Sequence, residues 1–74
     1  MGRRFENETV HFGKYKGRTF GEIAQDHLLY LDWLVGQKWF ESRHPETFHR
    51  LSEFLNDAEI EERLRLELDD SREN

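Results

Sequence analysis

The 74-residue sequence contains no cysteine, which removes two of the usual ways of holding a short chain together. No disulfide framework can form, and no thiolate zinc site. Stability must come from a small apolar core or from self-association, so a homodimer is one expected state. Proline occurs once, at Pro45, so there is no proline-rich linker. Apolar residues make up 35% of the chain, and no window is apolar enough to cross a bilayer. No apolar run follows Met1-Gly2-Arg3-Arg4-Phe5, so we read no signal peptide and expect a cytoplasmic protein without membrane contact. The length excludes a Rossmann domain, a TIM barrel or any enzyme that needs a large sheet. Positive charge is also scarce: 11 Lys and Arg face 16 Asp and Glu, for a net charge of −5. A generic duplex-DNA binder is basic overall, so any nucleic-acid contact here must be local.

The charge that is present is unevenly placed. Residues 1–18 hold Arg3, Arg4, Lys14, Lys16 and Arg18 against Glu6 and Glu8. Residues 53–74 hold the acidic excess, with only Arg63, Arg65 and Arg72 to offset it. We divide the chain into an N-terminal extension at 1–8, a single domain at 9–68 and a disordered acidic tail at 69–74.

Thr9 to Phe12 alternates polar and apolar, then runs into Gly13-Lys14-Tyr15-Lys16-Gly17 and Arg18-Thr19-Phe20. Two short extended runs around a turn with two glycines predict a β-hairpin. Each glycine can take the positive φ that such a turn needs. Thr19 and Glu22 have the spacing of a capping box, which would open a short helix over 20–25. Asp26 can cap the next helix. His27 to Val35 is almost wholly apolar, so a helix around 27–36 would be central or interfacial. A buried strand is the rival on periodicity alone, but leucine content and length favour helix. Gly36 would end it. Tyr30 and Trp33 are three apart and are expected in the core, whereas Trp39 and Phe40, beyond the helix, are expected to be partly exposed.

Pro45 suits a first helical turn, and Phe48, Leu51 and Leu55, with Phe54 alongside, predict an amphipathic helix over 45–56. Asp57 can cap a fourth helix, in which Ile60, Leu64 and Leu68 recur every four residues. Glu59 with Arg63 and Glu61 with Arg65 would pair along it. Leu64 to Leu68 also alternates, so a strand stays open there. These readings add up to an α+β fold: a small N-terminal β-hairpin packed on three to four short helices.

The stretch His11-Phe12-Gly13-Lys14-Tyr15-Lys16-Gly17-Arg18-Thr19-Phe20, followed by Tyr30-Leu31-Asp32-Trp33-Leu34 and Phe40, resembles a known module. It is similar to the C-terminal domain of exodeoxyribonuclease X-like proteins and to related short bacterial and phage proteins. The resemblance covers about residues 9–40. One departure is that Asp26 lies further before Tyr30 than the acidic residue or proline that family members place there. The acidic segment after residue 56 has no counterpart in the family pattern. The resemblance implies a hairpin-plus-helices module found beside nucleic-acid-processing enzymes. It does not import catalysis, because the nuclease chemistry of such proteins sits in a separate domain.

We therefore expect a non-catalytic accessory module of DNA metabolism whose partner is DNA or a DNA-processing protein. The candidate nucleic-acid-binding residues are Lys14, Tyr15, Lys16 and Arg18. The cations would face phosphates and the tyrosine would stack on a base. If the turn kept strand phase, Tyr15 would lie opposite the three cations and belong to the core. The alternative is an acidic, DNA-mimic-like interaction or inhibitor module. It would meet a basic partner through Trp39, Phe40, Glu61, Glu62 and Glu67. We expect no cofactor, no metal and no catalytic residue. His11, His27, His44 and His49 include no pair spaced for a helical zinc site. No nucleophile motif surrounds Ser42, Ser52 or Ser71. The acid pairs Glu61-Glu62 and Asp69-Asp70 read as a solvated face.

Overall fold

A computed structural model describes residues 4–72. The described residues form four helices: α1 (Phe20–Val35), α2 (Lys38–Arg43), α3 (Pro45–Leu55) and α4 (Ala58–Arg72). α1 packs against each of the other three, α3 packs against α2 and α4, and α2 and α4 do not touch.

Each helix starts where local chemistry allows it to. At α1 the expected capping box forms in both directions. The Glu22 amide donates to Thr19 Oγ1 at 3.2 Å, and the Thr19 amide donates to Glu22 Oε1 at 2.9 Å. Pro45 occupies the first turn of α3. Asp57 Oδ1 accepts from the amides of Glu59 at 2.9 Å and Ile60 at 3.3 Å, which satisfies two orphan donors at the head of α4.

The break expected near Asp26 is a kink inside one helix. His27 leaves helical geometry at φ −141 and ψ 51, and α1 then resumes. It resumes because one apolar stripe runs across the kink: Phe20, Ile23, Ala24, Leu28, Leu31 and Leu34 are all buried. A kink disturbs the backbone bonding of the preceding turn. There the Ala24 carbonyl accepts from Arg63 Nη2 of α4 at 3.0 Å.

The helix over 38–43 is not predicted by any sequence pattern. α2 has only six residues, has no side-chain capping bond at Gln37, and is held by the fully buried Phe40. α4 is helical through Leu64–Leu68, which removes the strand alternative, and it continues through the start of the expected tail to Arg72. Glu73 and Asn74 lie outside the described residues. The four helices enclose Phe20, Phe40 and Phe54 together with Leu31, Leu51 and Ile60, all at most 1% exposed.

The expected β-hairpin, and with it the α+β class, is corrected: the described residues contain helices and no sheet. Residues 9–19 form a loop closed by one isolated antiparallel bridge, Thr9 to Thr19. A ladder needs successive cross-strand bonds. Here the cross-loop bonds end at Val10, whose amide reaches Arg18 O at 2.8 Å and whose carbonyl accepts from Gly17 at 2.8 Å. Inside that neck the donors turn local, Lys16 to Gly13 O at 3.3 Å and Arg18 to Tyr15 O at 3.0 Å. Gly13 at φ 75 and Gly17 at φ 91 curl the chain too tightly for paired arms. The expected positive φ at both glycines is present, but it closes a loop rather than a hairpin.

The segment read as an N-terminal extension is docked on the domain from residue 4 onward. Glu6 O accepts from the Gly21 amide, and Glu8 O from the Phe20 amide, each at 2.9 Å. Arg50 meets the Glu8 carboxylate at 2.8 Å, and Arg4 meets Glu53 at 3.1 Å.

Candidate nucleic-acid interface

Two aromatic side chains point inward from the 9–19 loop and fix it to the helices. Tyr15 is buried, with its ring 4.7 Å from Tyr30 and 5.3 Å from His27 on α1. Phe12 stacks flat on His44 at 4.0 Å and lies 5.6 Å from Phe40 and 6.4 Å from Trp39. The loop therefore bridges the second half of α1 and the α2–α3 junction. Tyr30 sits partly buried beneath it, near Gly13. Burial holds the Tyr30 hydroxyl above its ordinary pKa, and the neighbouring Tyr15 adds to the effect.

Val10 of the loop is buried as well, while the loop's basic side chains face out. Lys14, Lys16 and Arg18 are all exposed. The alternation seen in the sequence survives without a strand: Tyr15 turns in and its two lysine neighbours turn out. Lys14 Nζ lies 5.6 Å from the Tyr15 ring centroid, within cation–π range. Tyr15, the fourth candidate, is buried beneath Lys14 and so is not open to a base.

The cations fall into two groups. Arg4, Arg50, Arg63 and Arg65 each meet a carboxylate: Glu53, Glu8 and Glu46, Glu67, and Glu62 respectively. Among the described residues Lys14, Lys16 and Arg18 meet none, and neither do Lys38 and Arg43. Among the described residues α4 carries the pairs Arg63–Glu67 and Arg65–Glu62, and Arg65 meets Glu62 rather than the expected Glu61.

Two aromatic expectations are corrected here. Trp33, expected in the core, is 52% exposed, and Phe40, expected to be partly exposed, is fully buried. On α1 the buried stripe passes through Leu28, Leu31 and Leu34. Trp33 stands about 200° round the helix from Leu31, at 3.6 residues per turn. That phase is the sequence signal that places Trp33 outside the core. Phe40 is drawn in by a non-local cluster, Phe12 at 5.6 Å and Phe48 at 5.9 Å. Trp39, its neighbour on α2, is 43% exposed, as expected.

The alternative partner-facing set is not assembled. Trp39 and Phe40 belong to α2, and Glu61, Glu62 and Glu67 to α4, two helices without contact. Glu62 and Glu67 also have arginine partners on their own helix. A cleft of about 310 Å³ lies between the N-terminal turn, the start of α1, and Ile60 and Arg63 of α4. Of its carboxylates, Glu22 is occupied in the capping box. Among the described residues, no three histidine or acidic side chains converge as metal ligands, and no helix is long and apolar enough to cross a membrane.

The family model of the exodeoxyribonuclease X-like C-terminal domain matches residues 11–38. This supports the resemblance read from the sequence. The matched segment runs from the basic loop through α1 to the first residue of α2, so it includes Lys14, Tyr15, Lys16, Arg18 and Trp33. No curated protein and no solved structure gives a significant match to the chain.

Proposed function

We propose that this chain is a small non-catalytic module of DNA metabolism that binds nucleic acid through the 9–19 loop. Lys14, Lys16 and Arg18 contact phosphates, and Tyr15 is the internal post that presents them. The observation that carries this reading is the division of the cations. Among the described side chains, Arg4, Arg50, Arg63 and Arg65 are matched by carboxylates, whereas the loop cations, like Lys38 and Arg43 of α2, are exposed and unmatched. Within a chain of net charge −5, this makes a local positive surface of the kind that phosphate contacts require. The family match supports the same direction, because the matched domain is named for an exodeoxyribonuclease.

Fluorescence anisotropy with labelled oligonucleotides across a salt series tests the proposal. Affinity should fall with salt. Lys14, Lys16 and Arg18 changed together to Ala should flatten the log–log slope by about 2, at about 0.7 per single-strand phosphate contact. Absence of binding at low salt would overturn it.

A further inference from the structure

The chain has two tryptophans, Trp33 and Trp39, and both are exposed, at 52% and 43%. Large aromatics are normally the first side chains a small core takes in, because each buries so much apolar surface. This core, though thin, leaves both indoles about half exposed. Both also adjoin the basic loop. Trp33 lies 5.8 Å from Tyr30, which lies 4.7 Å from Tyr15, the ring beneath Lys14. Trp39 lies 6.4 Å from Phe12, two residues before Lys14 in the same loop. The loop thus has an exposed indole near each of its anchors and carries the unmatched cations Lys14, Lys16 and Arg18.

We infer that the ligand of this surface is single-stranded nucleic acid, with unpaired bases stacking on Trp33 and Trp39 while the backbone follows Lys14, Lys16 and Arg18. This rests on the proposed nucleic-acid binding and adds the substrate class. In a duplex, base faces are covered by their neighbours, so an indole face finds no partner there. In a single strand they are open, and stacking on an aromatic combined with a basic track is the physics of sequence-tolerant single-strand binding. Charge complementarity selects the occupant: an apolar protein anchor would use the indoles and leave three cations unanswered.

Because both tryptophans are exposed, intrinsic fluorescence reads the platform without a buried background. The full chain is titrated at low salt with an oligothymidylate and, separately, with a duplex of the same length. Anisotropy of labelled strands is followed in parallel. The oligothymidylate should quench tryptophan emission and the duplex should not. Trp33→Leu and Trp39→Leu should each weaken single-strand binding about tenfold, with partial recovery in the Phe variants. Both sites are exposed, so helical circular dichroism should be unchanged. Binding that depends on Lys14, Lys16 and Arg18 without quenching, or equally strong for duplex, would overturn the single-strand inference and leave the phosphate-binding proposal standing. No binding by either readout would overturn both, as would quenching that survives Ala at all three cations.

Discussion

Arg63 of α4 donates from Nη2 to the Ala24 carbonyl of α1 at 3.0 Å, beside the His27 kink. The bond ties the most polar helix to the point where the central helix is weakest. Its other partner, Glu67 Oε2, is buried but 4.0 Å away, beyond hydrogen-bond distance, so that ion pair contributes little. Arg63→Met keeps the aliphatic stem and removes the donor. It should destabilise the fold by about 1 kcal/mol, since Arg63 is itself partly exposed. Glu67→Gln should stay within about 0.5 kcal/mol of the parent. Urea denaturation of the two variants checks the pair, and equal losses would show that the ion pair, rather than the carbonyl bond, holds α4.

Gly21 is a close-approach glycine. A Cβ built there would stand 2.7 Å from Glu6 Cγ and 3.1 Å from the Glu6 carbonyl oxygen. The side chain can swing away. The carbonyl cannot, because it accepts from the Gly21 amide at 2.9 Å. Gly21→Ala should therefore cost about 1–2 kcal/mol by pushing the N-terminal turn off α1. Gly36→Ala is the control: its Cβ meets Trp33 O at an ordinary 3.4 Å, and its φ is −84. It should be neutral or slightly stabilising. Thermal melts of the two alanine variants make the comparison.

What was legible in the sequence was what neighbouring residues decide among themselves. Thr19 with Glu22, Pro45 and Asp57 start helices in the structure because a cap or a fixed φ acts within one turn. The loop at 9–19 was not legible, because alternation around two glycines is the same signal for a ladder and for a closed loop. The decision lay with Phe12 and Tyr15, which gain more by packing on helices far along the chain than by standing on a strand. α2 offers too few residues for a period and exists because Phe40 is buried among Phe12, His44 and Phe48. In the candidate site the cations were legible by type and position. That they lack carboxylate partners was not, because pairing depends on which acids the fold brings near. Trp33 departs for a different reason: its apolar character favours the core, but its helical phase, about 200° from Leu31, turns it outward.

Tyr30 should make stability depend on alkaline pH. Burial, with Tyr15 beside it, raises its pKa above the ordinary 10.0. Between the unfolded value and the raised folded value, the folded state holds the proton that the unfolded state has released. Stability from this group is therefore fully present below about pH 10 and declines as pH rises toward the folded value. Chemical denaturation midpoints measured from neutral to strongly alkaline pH should fall more steeply in the parent than in Tyr30→Phe. Parallel curves would remove Tyr30 as the cause.

Tyr15 distinguishes a scaffold from a contact. Its ring is buried against Tyr30 and His27, and the three cations extend from the loop that it anchors. If its role is positional, Tyr15→Phe preserves the ring and should preserve nucleic-acid affinity within about twofold, less than 0.5 kcal/mol at tenfold per 1.4 kcal/mol. Tyr15→Leu should lose about 2 kcal/mol of stability, because a flat ring is replaced by a smaller branched chain that cannot fill the gap. Affinity should fall with it even though no charge has changed, since the loop no longer holds Lys14, Lys16 and Arg18 in one array. Anisotropy at a temperature where circular dichroism shows the Leu variant folded separates the two effects. Unchanged affinity in that folded variant would mean that the cations bind as independent point charges, and that the shape of the loop contributes nothing to recognition.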